Sequence, residues 1–168
     1  MPEPTGLDRI MTLARIDTAP THRQPSAVRV AIATVVSLVG SLVGDAALVA
    51  IGTRLFPSTK GYAHFQFSDY SKLTIIGVLV ACLGWPVITR ITSDPRWVYF
   101  RLAILVTLVL LLPDLYILHQ GQPGKAVAVL MVMHLAIAVV TYNAMVRIAP
   151  VTPQGATRTV QGAGAGPS

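Results

Sequence analysis

Four long apolar stretches, at about 28–51, 73–91, 98–118 and 126–148, leave this chain little choice of fold. The hydrocarbon core of a bilayer is about 30 Å thick, and an α-helix crosses it with about 20 apolar residues. Each stretch comes close to or exceeds that length. A backbone in lipid must satisfy its own amides, and a helix does so without help from neighbours. The expectation is an all-α, integral membrane four-helix bundle over residues 27–149, with a polar segment at 1–26 and a disordered tail at 150–168.

Composition agrees. Of 168 residues, 53% are apolar and 12% charged, with a mean hydropathy of +0.63. Soluble domains carry about 25% charged residues. The net charge of +6 raises the question of nucleic acid. The basic residues are mostly spread one to three per loop and form no groove or basic helix face. The partner they point to is therefore the lipid bilayer, and no nucleic acid is expected.

Those charges also orient the chain. One side would hold Arg9, Arg15, Arg23, Arg29, Arg90, Arg96, Arg101, Arg147 and Arg158; the other would hold Arg54, Lys60, Lys72 and Lys125. Positive charge collects on the cytoplasmic side, so both termini are expected there, in the cytoplasmic (plasma) membrane of a bacterium. The polar leader and the length of the first apolar run argue against a cleaved signal peptide. With Cys82 alone, no internal disulfide and no internal thiol-pair chemistry is available.

Local signals add detail. Leu7, Ile10, Met11 and Ala14 fall at helical spacing and suggest a short interfacial helix over 6–16, with disorder the alternative. A tandem SLVG puts Ser37 and Ser41, and Gly40 and Gly44, four residues apart. Small residues at that spacing let helix backbones approach closely, within one bundle or across a homodimer. The loop 53–71 is aromatic, with Phe56, Tyr62, Phe65, Phe67 and Tyr70 beside His64, and reads as an interfacial cap or as a lid. The second span is expected to end near Trp85-Pro86, with Pro86 removing a backbone donor. Trp97 and Tyr99 are expected to anchor the third span at the interface.

Three ionisable side chains fall inside the predicted spans: Asp45, Asp114 and His134. A charge near the bilayer centre costs at least ~2.5–3.5 kcal/mol, so such groups face the bundle interior and find partners. At ~1.5 Å per residue they lie roughly 9, 6 and 13 Å from the outer ends of their helices. Three readings stay open: Asp45 and His134 as a structural hydrogen-bonded pair, the same residues as proton carriers or ligands of a small cation, and two carboxylates hydrated at the outer interface. Nothing has the paired spacing of a metal site, and His119 and His134 make poor axial partners for haem. No catalytic residue, metal or cofactor is therefore expected.

Leu83-Gly84-Trp85 in the second span, the LLLP run ending at Pro113, and Met133-His134-Leu135 in the fourth carry a resemblance. Over about 28–148 the chain resembles an uncharacterised family of actinobacterial four-span membrane proteins, a domain of unknown function. Ten arginines against three lysines fit a high-GC bacterial source. The resemblance implies the four-helix membrane fold and no established activity.

The function expected is non-enzymatic: a structural or accessory component of a membrane assembly, in a homodimer or a larger complex. The alternative is a homodimeric proton-coupled transporter of a small solute or ion, using Asp45 and His134. A membrane enzyme acting on a lipid or quinone is less favoured, because no nucleophile has positioned partners.

Overall fold

The computed structural model describes residues 10–13, 15 and 20–153. Helix α1 spans Ala27–Leu55, α2 Phe67–Ile91, α3 Pro95–His119 and α4 Gly124–Ile148. All four are long and apolar enough to cross a membrane. Large apolar side chains cover the outside, among them Val39, Val43, Leu79, Leu83, Leu108, Leu112 and Val139. The buried side chains of α3 are Pro95, Tyr99, Thr107 and Asp114. A helix that hides its polar groups and presents leucine and valine outward is built for lipid, since an apolar surface this large would not stay dispersed in water.

Local chemistry sets the helix ends. Ser26 caps α1, its hydroxyl accepting from Arg29 N, and Phe56 N–H closes the far end on the Gly52 carbonyl at 2.8 Å. Two 3-10 turns, Pro57–Thr59 and Ala63–Phe65, carry the chain into α2. The polar run 68–72 is helical, so α2 begins at Phe67 and the predicted loop 53–71 shrinks to 56–66. At the other end α2 runs on through Pro86 to Ile91 instead of ending there. The Arg90 guanidinium donates to the Pro86 carbonyl at 2.9 Å, with the Thr89 hydroxyl 3.0 Å from the same oxygen, and ties the last turn together beyond the proline. Pro95 starts α3, where its missing N–H costs nothing.

The bundle has two ends. At the cap end Phe65, Tyr70, Ala126, Val129 and Met133 form one buried cluster. Tyr62 meets His64 and Phe65 edge to face, with ring centres 5.3 and 5.2 Å apart, and this fixes the short loop as a packed cap. At the opposite end Trp85, fully buried, packs on Tyr99 and donates its indole N–H to the Ala149 carbonyl at 2.9 Å. Tyr99 also stacks on Tyr142. Tyr99 is thus a core residue rather than the interface anchor expected of it, because its hydroxyl finds the Ala81 carbonyl inside the bundle. Trp97 stays half-buried beneath the guanidinium groups of Arg15 and Arg101.

That second end carries a latch. His22–Arg23, β1, pairs antiparallel with Thr152–Pro153, β2. His22 is buried, with Nε2 2.8 Å from the Thr89 carbonyl; Gln24 Nε2 donates to the same oxygen at 2.7 Å and Gln24 Oε1 accepts from the Thr89 hydroxyl. The described start and end of the chain therefore sit together. The tail expected to be disordered from residue 150 begins with this pairing, and 154–168 lie outside the described residues. Of the helix expected over 6–16, residues 10–13 are helical, while 6–9, 14 and 16 lie outside the described residues. Arg15 forms an ion pair with Asp94, and its carbonyl accepts from the Thr92 hydroxyl.

Candidate functional site

The tandem SLVG divides its work. Ser37 and Ser41 are buried with Asp45 on one face of α1. Gly40 approaches α4 so closely that a Cβ there would lie 3.0 Å from Val140 Cγ1, whereas a Cβ on Gly44 would meet nothing within 4 Å. A closer approach, which the sequence reading missed, occurs at Gly52, where a Cβ would lie 2.7 Å from Val129 Cγ2. These contacts set α1 against α4 in antiparallel register, Gly40 level with Val140 and Gly52 level with Val129.

The register places the polar groups. Asp45 falls level with the turn of α4 that carries His134, and the two interact electrostatically. They are not the hydrogen-bonded pair the sequence suggested. Asp45 is fully buried and its Oδ2 accepts from the Thr74 hydroxyl of α2 at 2.7 Å. An intramolecular hydrogen bond contributes about 0.5–1.5 kcal/mol, and this one ties α1 to α2.

His134 pairs with Asp114 instead: its Nδ1 lies 3.1 Å from Asp114 Oδ2. The direction of the helices explains this. Helical side chains tilt toward the N-terminus of their helix. The α3 chain runs toward the cap and α4 away from it, so Asp114 leans inward while His134 leans capward. That tilt closes a gap in depth of roughly 7 Å estimated from helical rise alone.

Nδ1 of His134 also lies 3.0 Å from the Leu130 carbonyl, one turn back. Both neighbours accept hydrogen bonds, so Nδ1 carries a proton. The single Nδ1 hydrogen is aimed at the carbonyl. Asp114 Oδ2 is then an ion-pair neighbour that lacks a hydrogen bond of its own.

Above this pair lies the cap. His64 interacts electrostatically with Asp114 and holds Asp69 through a 2.8 Å contact from Nδ1 to Oδ2. The Tyr62 hydroxyl is buried without a partner. Burial first, and the Asp114 charge second, push Tyr62 above the ordinary tyrosine value of 10.0. All three predicted ionisable residues thus belong to one polar centre toward the cap end, together with Thr74 and Tyr70, which the sequence reading did not include. Among the described residues no three His, Cys, Asp or Glu side chains group as a metal site.

The sequence pattern of a family of unknown function, DUF6069, matches residues 17–150. The chain belongs to that family. No curated protein and no solved structure matched it. The DUF6069 match spans all four helices, the polar centre and the Thr89 seat of the latch, so the bundle described above is the family's own unit and not an addition to it.

Proposed function

We propose that this DUF6069 chain is a structural or accessory component of a membrane assembly, without enzymatic activity. The observation that carries the reading is the split of the small-residue motif: Gly40 is used inside against Val140, while a Cβ on Gly44, half-buried one turn further along α1, would meet nothing within 4 Å. Close helix approach through small residues is a main source of association in lipid, and Gly44 offers such a place to a helix from another chain. The reading puts the protein in a bacterial cytoplasmic membrane with both termini inside, supported by the count of nine basic residues against four. The test is isolation from native membranes after mild crosslinking. Co-purifying membrane subunits that are lost with Gly44→Leu support the reading. A protein that purifies alone, and whose deletion alters no complex, overturns it.

A second reading, proton exchange within a homodimer, is favoured by the His134 ring, whose Nδ1 lies between the Leu130 carbonyl and the Asp114 carboxylate inside the bundle. Reconstituted vesicles carrying wild type and Asp114→Asn would then differ in proton flux. Equal flux removes the pair from any such mechanism.

A further inference from the structure

Two buried carboxylates share one imidazole. Asp45 and Asp114 are 0% and 5% exposed; His134 Nδ1 lies 3.1 Å from Asp114 Oδ2, and His134 also interacts electrostatically with Asp45. A carboxylate inside lipid needs partners for both of its oxygens.

Asp45 Oδ2 is occupied by Thr74, but Oδ1 has no hydrogen-bond partner. Besides Asp114 Oδ2 and the Tyr62 hydroxyl toward the cap, two more oxygens share that condition: Ser41 Oγ and Thr141 Oγ1 belong to side chains 1% and 3% exposed, and both lack a partner. Buried hydroxyls are nearly always hydrogen-bonded, so three such oxygens in one region require an explanation.

Their positions converge. Ser41 is one turn from Asp45 on the same buried face. The Gly40–Val140 contact brings Thr141 to within about two residues, or ~3 Å, of the level of Ser41. The side chains of α1 tilt away from the cap and those of α4 toward it, so Asp45 leans toward Ser41 while Ser41 and Thr141 lean toward each other. The donor set is one carboxylate and two hydroxyls, all hard oxygen and none of it nitrogen or sulfur, which suits a hard cation rather than a soft transition metal. One carboxylate beside two neutral hydroxyls carries at most a single negative charge, which a monovalent alkali cation balances.

We propose that Asp45, Ser41 and Thr141 form a sodium site between α1 and α4, for which a proton on Asp45 competes. The titratable groups facing Asp45 are Tyr70 from α2 and His134 from α4, with Asp114 of α3 behind His134. The site is independent of whether the chain works in an assembly.

The experiment follows thermal unfolding of the full chain in detergent at pH 8, titrated with sodium, potassium or choline chloride at constant ionic strength. The expected result is a saturable rise in midpoint with sodium that choline does not give. Asp45→Asn abolishes it, Ser41→Ala and Thr141→Val each raise the half-saturating sodium concentration about tenfold, and a drop to pH 5 weakens it. An equal rise with choline, a larger rise with potassium, or a sodium response retained in Asp45→Asn overturns the site. If Asp45→Asn does not fold, unchanged half-saturation in both hydroxyl variants overturns it as well.

Discussion

Gly52 of α1 and Val129 of α4 touch so closely that a Cβ on the glycine would lie 2.7 Å from Val129 Cγ2. The valine is branched and sits in a helix, where its side chain has essentially one rotamer, so it cannot swing aside. The backbones must part instead.

Gly52→Ala is therefore expected to destabilise the bundle by about 1–3 kcal/mol, the usual cost of overpacking. Gly44→Ala, where a Cβ meets nothing, is expected to be neutral or to stabilise by about 0.5–1 kcal/mol through helix propensity. Thermal unfolding of both variants in one detergent checks the contrast. A Gly52→Ala midpoint equal to wild type would mean that the two helices are not held at this separation.

Tyr62 offers a pH test. Its folded-state value lies above the unfolded one, so the folded protein holds this proton more tightly than the unfolded chain does. The contribution is complete below pH 10 and is lost as pH climbs past 10 through the higher folded value. Tyr62→Phe removes this loss, and it also removes a buried hydroxyl without a partner, so at neutral pH the variant is expected to match or exceed wild type. Midpoints measured across pH 8.5–11 check both statements, and identical profiles for the two proteins contradict the first.

At the other end, His22→Ala with Gln24→Ala removes both side chains that reach the Thr89 carbonyl. Each hydrogen bond contributes about 0.5–1.5 kcal/mol, so residues 20–26 are expected to lose about tenfold or more of their protection from hydrogen exchange. The four helices, held by their own packing, keep theirs. A leader that stays protected in the double variant would show that the strand pairing alone seats it.

The pairing of β1 with β2 also makes a statement about sidedness. In a Cys82→Ala background, Gln24→Cys and Thr152→Cys are expected to react with an impermeant maleimide from the same face of the membrane. Ser58→Cys and Gln122→Cys, in the two connections at the cap end, are expected to react from the opposite face. Labelling of the first two from different faces would contradict the antiparallel bundle.

The helices were legible because lipid imposes a length on every crossing, and the four apolar runs meet it. Their ends were less so: Ser68, Asp69, Ser71 and Lys72 are polar, yet they extend α2 because its first turns lie beyond the apolar zone. The polar residues were found by type and depth, but their partners were not. Sequence gives height along a helix and says little about rotation between helices, so His134 was matched to Asp45 although the tilt of its helix delivers it to Asp114. Thr74 looked like an ordinary span threonine until α2 was set beside α1. Gly52 stood outside any motif, and nothing in its neighbourhood announced that Val129, far along the chain, would lie against it. The latch was illegible for a similar reason: two residues of strand at each end of a chain carry no pattern, and only the packed bundle brings them into range.

The latch bears on how the protein is made. Residues 20–26 leave the ribosome before the four spans, yet the carbonyl that seats them belongs to Thr89 and the strand that completes the pairing to Thr152. This segment therefore waits, without its strand partner, through the synthesis of all four spans. A nascent chain stalled before residue 150 lacks the partner strand, so this end of the bundle closes only after the fourth span has been made.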